Sequence, residues 1–319
     1  MDFNRFKYLF EEKEVVEFQN NSPDSPLVSV CIQTYNHVDF IEEALDGILS
    51  QKTNFQFEIL LGDDGSSDGT RKICIKYAEK YPEKIRLFLH HRENNIQVAS
   101  KPTGIFNSLY NVFSSNGQFI AYCDGDDIWT DQYKLQKQIE YLKNHPKVVI
   151  TYHKIKLIDE TGNYLSNYSY FRESEKDFSG IELKQSINQP PTSTWCFRNL
   201  IRDIPPEFIK VINADNFWIS LLGQYGSGKY IEEIKPSFYR IHSGALWNSA
   251  NKEKKLEAKR NTYFQMSSYY RANKHQNLAN YFKKRAQDYS KMLLIKSIKD
   301  IRILRSLKNL FWFLKVSKS

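Results

Sequence analysis

Cysteine is scarce in this sequence: four among 319 residues, at Cys31, Cys74, Cys123 and Cys196. No two sit at metal-ligand spacing, which argues against a zinc cluster. Cys31 and Cys123 fall in apolar runs that read as buried strands, where a free thiol packs as a small hydrophobe. That usage points to a reducing, cytosolic compartment. Long apolar runs are lacking too. Nothing approaches the roughly 18 residues that a membrane-spanning helix needs. The opening stretch MDFNRFKYLFEEKEVVEF holds no apolar segment of signal-peptide length. No internal repeat is present.

Hydrophobic residues make up 41% of the chain, enough for a sizeable core in one large domain with an appendage, or in two domains. The aromatic share of 14% suits stacking on sugars or bases, although core packing is the commoner use. Charge is distributed unevenly. From Asn251 onward there are 18 Lys and Arg against 4 Asp and Glu, so a tail of +14 follows a body of −6. Such asymmetry suggests that the tail meets something anionic.

From Pro26 the sequence alternates strand and helix signals. LVSVCI, FEILLG, IRLFLHH and QFIAYC are short, apolar and strand-like. VDFIEEALDGILSQ, RKICIKYAEKY, the stretch near Gly104–Phe113 and YKLQKQIEYLKNH carry helical periodicity. This alternation predicts an α/β fold: a mostly parallel, Rossmann-like sheet with helices on both faces. Ligands of such sheets bind beyond the carboxyl ends of the strands. Three polar clusters sit there: Gln33–Asn36, Asp63–Asp68 and Asp124–Asp127. Beyond Lys147, VVITYHKIKLIDETGNYL reads as a strand and hairpin turning at Glu160–Asn163. PTSTWCF reads as a strand, NFWISLLGQYG as a short buried helix and KYIEEIKPSFYRIH as extended.

Asp124-Gly125-Asp126-Asp127 puts three acids in four residues at a strand end. Like charges so close repel, and a divalent cation resolves the conflict; Mg²⁺ and Mn²⁺ favour carboxylate and phosphate oxygens. A helix cap would need only one acid. In DDGSSDGT, Asp68 or Thr70 suits a cap, which leaves Asp63 and Asp64 unexplained. A carboxylate there can accept the imide N–H of a uracil ring.

The segments VSVCIQTYNHVDFIEEALDGILSQ, EILLGDDGSSDGT and FIAYCDGDDIWTDQYKLQKQ resemble family-2 glycosyltransferases of the GT-A fold, in order and interval. The likeness returns in PTSTWCFRN, NADNFW and FYRIHSGALW. It implies a nucleotide-contacting loop at Thr34, Tyr35 and Asn36, with the tyrosine against the base. It makes Asp64 the base-reading acid and Asp124-Gly125-Asp126 the DXD motif. Asp124 would face the ribose or metal-bound waters, and Asp126 would ligate Mn²⁺ or Mg²⁺. Asp127 is the next donor-side acid. Asp215 matches the catalytic base, and His242 a histidine near the metal or diphosphate. Asn213-Ala214-Asp215 has one acid where the family often has two. Residues 163–184 match nothing in the family pattern.

The resemblance implies residues 1–25 as an N-terminal extension and 26–248 as a GT-A domain, with a nucleotide-binding half (26–130) and an acceptor half (131–248). Residues 249–319 form a basic helical tail. The expected reaction moves a sugar from a nucleotide-diphosphate donor, UDP-linked by expectation, to a glycan or glycolipid hydroxyl in bacterial surface glycan assembly. With one base and no poised carboxylate nucleophile, inversion is the simpler course. Ser243–Ser249, with Trp247 as latch, is a candidate closing loop. Two rivals stay open: a nucleotidyltransferase that makes the sugar nucleotide, although QTYNHVDF lacks a Gly-rich basic loop, and a non-catalytic nucleotide-sugar-binding subunit.

Gly223–Lys229 imitates a phosphate-binding loop, yet it follows a helix and is succeeded by Tyr230, so it reads as a helix-ending turn. His90 and His91 read as surface residues. In the tail, Leu294, Ile298, Ile301, Leu304, Leu307, Phe311 and Leu314 form an apolar stripe between basic residues. It suits either an anionic membrane surface, with the chain peripheral on the inner face, or packing on the body. Nucleic acid is not an expected partner.

Overall fold

The chain is described here by a computed structural model covering residues 1–99, 101–166, 172–244, 251–299 and 303–318. In its first half, α1 (Phe3–Phe10), β1 (Val16–Glu17) and β2 (Val28–Thr34) precede α2 (Ile41–Leu49) and β3 (Phe57–Asp63). Next come α3 (Thr70–Lys80), β4 (Ile85–Leu89), the short β5 (Gln97–Val98) and β6 (Lys101–Pro102), α4 (Ile105–Ser114) and β7 (Phe119–Asp124). The second half holds α5 (Lys134–Asn144), β8 (Val148–Tyr152), β9 (Ile155–Ile158), α6 (Gly180–Lys184) and β10 (Cys196–Arg198). It continues through α7 (Ala214–Leu222), β11 (Ser227–Tyr230) and β12 (Ser237–Arg240) to α8 (Lys252–Ala272), α9 (Gln276–Lys299) and α10 (Ile303–Lys318).

The main sheet has eight strands in the order β1-β4-β3-β2-β7-β10-β8-β11. Strands β4, β3, β2 and β7 run parallel, while β10 is antiparallel to both β7 and β8. Because side chains alternate across a strand, the apolar runs split between two cores. Val28, Val30 and Ile32 face α2, α3 and α5, whereas Cys31 faces the opposite side. Leu60, Ile120 and Tyr122 share that second core with Phe106, Leu109, Phe217 and Trp218. All four cysteines are buried and free.

Both chain ends join the second core. Phe6 of α1 is buried against Phe106, and β1 pairs antiparallel with β4. On α8, Tyr270 lies 2.6 Å from Ser220 Oγ of α7, and Tyr269 meets Phe217 edge-on. The expected tail helices form, and α8 packs on the body. Part of the apolar stripe nevertheless faces out: Ile298, Leu307, Phe311 and Leu314 are exposed, beside Met292, Ile295 and Leu310. Stripe residues Ile301 and Leu304, like Ala245–Ser249 of the candidate closing loop, lie outside the residues whose side chains are described. No helix among the described residues is long and apolar enough to cross a membrane.

The hairpin turning at Glu160–Asn163 does form: Gly162 has φ 87, Ile158 bridges Tyr164 in antiparallel sense, and Leu165 N donates to the Leu157 carbonyl. What the sequence did not indicate is that β9 also pairs in parallel with β12. Two local expectations need correction. PTSTWCF begins as a 3₁₀ turn (Thr192–Thr194), and only Cys196–Arg198 is strand. His90 is buried rather than superficial, because strand alternation puts it on the face of Phe88, against Phe106 and Tyr110. Burial there pushes its imidazole down to about 3.

Candidate active site

Chain order runs from β2 to β3 and β4 on one side, then crosses to β7 on the other, so the sheet has its switch point at β2. Register aligns the strand ends: Thr34 pairs with Asp63, and Gln33 with Asp124. The two leading loops are stitched together. Asn36, at φ 54, receives no strain penalty beyond what asparagine tolerates. Its N–H donates to Ser66 Oγ at 2.9 Å, and its side-chain oxygen accepts from Ser67 N at 3.0 Å. Asp68 accepts from Val38 N and from the N–H and hydroxyl of Thr70, and so ties down the start of α3, whose N-cap position is Gly69. Asp63 turns away to Arg71, whose Nε donates to it at 2.5 Å.

Asp64 stays at the rim. One oxygen accepts from Asn95 at 2.7 Å and from Arg92; the other is buried without a partner. Burial pushes this carboxyl up to about 6, although Arg92 and Asn95 pull the other way. The Arg92 guanidinium lies 3.9 Å from the Tyr35 ring centroid, and Tyr35 is 40% exposed. A planar, half-open aromatic beside an unsatisfied carboxylate oxygen is a surface that fits a nucleobase.

At the end of β7 the acids diverge in environment. Asp124 accepts from Thr192 Oγ1 at 3.2 Å, and burial together with the Asp126 charge pushes it up to about 7. Asp127 is buried and accepts the Arg240 N–H at 3.0 Å; burial and its two neighbours raise it strongly. Asp126 is drawn below the ordinary carboxylate range. Burial alone would raise it, but His242, 2.9 Å away, and His37, 4.0 Å away, outweigh that cost. His37, Asp126 and His242 bring their ligand atoms within 4.8 Å of one another. Two imidazoles and a carboxylate form a donor set suited to a divalent ion.

His242 reaches Asp126 because β12 crosses the end of β7, with Phe238 bridged to Ile128. Arg240 fixes that crossing. It is 3% exposed, donates to the Asp126 carbonyl at 3.1 Å and pairs with Glu43 of α2. Asp215 begins α7, where Gln189 donates to it at 2.6 Å. It is near enough to Asp124 for its charge to contribute to that group's raised pKa. A cavity of about 620 Å³ is lined by Leu9, Phe10, Asn95, Ile96 and Ile209 among others; it adjoins the Asp64 rim through Asn95 and is lined by none of Asp124, Asp126 and Asp127.

The sequence profile of glycosyl transferase family 2 matches residues 29–204, more than half of the chain. The chain belongs to glycosyl transferase family 2. An uncharacterized protein of Mycobacterium tuberculosis is 30% identical over 227 residues, 70% of this chain, and the chain spans only 61% of that relative's length. An uncharacterized glycosyltransferase of Nostoc sp. is 26% identical over 250 residues, covering 76% of this chain and 74% of the relative.

Solved structures share the fold at low identity. S. aureus TarS 1–349 gives a TM-score of 0.52 at 16% identity, covering 92% of this chain and 90% of that one. The mannosyltransferase PcManGT of Pyrobaculum calidifontis, in complex with GDP-Man and Mn²⁺, gives 0.50 at 14% identity, covering 98% and 90%. The family-2 chain therefore has the expected GT-A fold.

The profile match contains Thr34, Asp64 and the DXD acids, but Asp215, Arg240 and His242 lie beyond it. Arg92, His37 and Arg240 were missed in the sequence. Only His37 had a local signal there, as the residue following the Thr34–Asn36 loop.

Proposed function

We propose that this family-2 chain transfers a sugar, with inversion, from a nucleotide-diphosphate donor, a UDP-sugar, to an acceptor hydroxyl in bacterial surface glycan assembly. The main support is the gathering of base-reading, cation-binding and proton-accepting groups at one sheet edge: Tyr35 with Asp64, Asp126 with His242, and Asp215 close to Asp124. TarS 1–349 has been solved with UDP-GlcNAc, and PcManGT with GDP-Man and Mn²⁺. Those complexes make nucleotide sugars the donor class to test.

In this scheme Tyr35 stacks on the base and Asp64 accepts its imide N–H. Thr34 and Asn36 hold the loop that carries Tyr35. Asp126 and His242 hold Mn²⁺ or Mg²⁺, and Asp124 faces the ribose or the ion's waters. When bound, the cation offsets the charge that develops on the leaving diphosphate. Asp127, paired with the Arg240 N–H, keeps β12 in position behind the donor site. Asp215 accepts the proton of the acceptor hydroxyl as its oxygen bonds to the anomeric carbon and the bond to the diphosphate breaks. One displacement inverts that carbon.

The tail adds a location. Exposed Ile295, Ile298, Leu307, Phe311 and Leu314, in a segment carrying +14, suit an anionic membrane surface on the cytoplasmic side, close to a glycolipid acceptor. The decisive experiment is nucleotide release from a panel of UDP-, GDP- and dTDP-sugars with Mn²⁺. Release from a UDP-sugar that requires Asp215 supports the scheme. Binding of every donor without any release makes the chain a non-catalytic binding subunit.

A further inference from the structure

We propose that His37 is a third protein ligand of the cation site, making it a two-histidine, one-carboxylate site that selects Mn²⁺ or Co²⁺ over Mg²⁺. This rests on the reading that Asp126 and His242 hold the ion. The Nε2 atoms of His37 and His242 lie 4.0 and 2.9 Å from the same oxygen, Asp126 Oδ2. Ligand bonds of about 2.1 Å allow donors around one ion to be up to about 4.2 Å apart. The two rings stand edge-on, at 83°, with centroids 5.8 Å apart. Small ring rotations bring all three donors onto one ion.

The rest of the His37 environment suits a ligand. Its Nδ1 lies 3.2 Å from Thr34 Oγ1. A proton on Nδ1, donated to that hydroxyl, leaves the Nε2 lone pair turned to the ion. A metal-bound imidazole is held in this way by a partner on its other nitrogen. The backbone is fixed as well: His37 N donates to Thr70 Oγ1 at 2.8 Å, and its carbonyl accepts from Phe40 and Ile41 at the head of α2. Gly125 supplies the room. A Cβ there would stand 3.0 Å from His37 Nδ1 and 2.8 Å from Thr34 Oγ1, so the middle residue of the DXD motif has to be side-chain-free for the Thr34–His37 pair to lie against the strand end.

The consequence is selectivity. Magnesium favours an all-oxygen shell and binds imidazole poorly, whereas Mn²⁺ and Co²⁺ accept nitrogen. With the full chain, UDP and Mn²⁺, pulsed electron paramagnetic resonance should count two imidazole nitrogens on the ion. His37→Gln should leave one, weaken Mn²⁺ by about 10- to 100-fold and Mg²⁺ by less than about threefold, judged against the cost of losing a supporting ligand. One nitrogen in the unmodified chain overturns the proposal, and that count requires no variant to fold. An equal Mn²⁺ to Mg²⁺ preference in His37→Gln overturns it too. If Asp126→Ala loses Mn²⁺ while His37→Gln binds it like the parent, only the His37 assignment fails. If the unmodified chain binds no Mn²⁺ with UDP, the cation site itself fails along with it.

Discussion

Asp64 offers a prediction in which pH and mutation check each other. Its carboxyl, 5% exposed, is raised from the ordinary 3.8 to about 6, chiefly by burial. The folded chain therefore takes up a proton between about pH 4 and 6 that the unfolded chain has lost. Stability contributed at this site is highest below that window and falls as pH rises through it, by about 3 kcal/mol in all. Asp64→Asn removes that cost and leaves Arg92, one-third exposed, without its counter-ion. We expect the variant to melt no lower than the parent at pH 7, with a flatter pH dependence between 4 and 6.

Donor binding should move the other way. As carboxylate, the unpartnered oxygen of Asp64 accepts a base N–H with charge assistance, which protonation removes. A charge-assisted hydrogen bond is worth about 1.5–3 kcal/mol, so Asp64→Asn should weaken UDP by about 10- to 100-fold at pH 7.5. Below pH 6 the parent protonates; about one-tenth stays ionised at pH 5, so the ratio should shrink to about two- to tenfold there. Calorimetry of UDP with Mn²⁺ on both proteins measures this, and taking the ratio cancels pH effects at the cation site. A ratio that is constant from pH 5 to 7.5, or close to one throughout, would refute the assignment.

Three further outcomes follow from the geometry. Asp215→Asn should leave UDP-sugar affinity within about threefold and cut turnover about a hundredfold or more; normal single-turnover rates would remove it from the chemistry. Arg240→Ala strips a 3% exposed guanidinium from Glu43 and the Asp126 carbonyl. Glu43 is 58% exposed and stays solvated, so the loss is mainly that of buried hydrogen bonds: about 1–3 kcal/mol by denaturant unfolding, with weaker Mn²⁺ binding, whereas unchanged stability would show the hub is not needed. Replacing exposed Leu307, Phe311 and Leu314 with Ser should leave the melting temperature unchanged and reduce flotation with anionic vesicles at least about tenfold. Equal flotation would remove these residues from any membrane contact.

The sequence alone determined the parts whose information is local. Apolar runs of strand length specified β2, β3, β4 and β7, and helical periodicity specified α2 to α5. Acids at strand ends were legible as a candidate site because a parallel sheet must bring those ends to one edge. Gly223–Lys229 follows α7 as the sequence indicates, but only Gly223–Gly226 is the turn; Ser227–Lys229 belong to β11.

Tertiary structure alone decided which of those groups touch. His242 meets Asp126 across 116 residues, and Arg240 meets Glu43 across 197. Both contacts depend on β12 choosing β9 as its partner, a pairing that no local pattern encodes. The same holds for His90, buried by α4 packing over the face it shares with Phe88, and for His37, whose ring becomes a candidate ligand only where β12 delivers a second imidazole. Local propensity fixes backbone shape within about a dozen residues. Which strands and side chains meet over longer spans depends on how apolar faces cover one another in the folded chain.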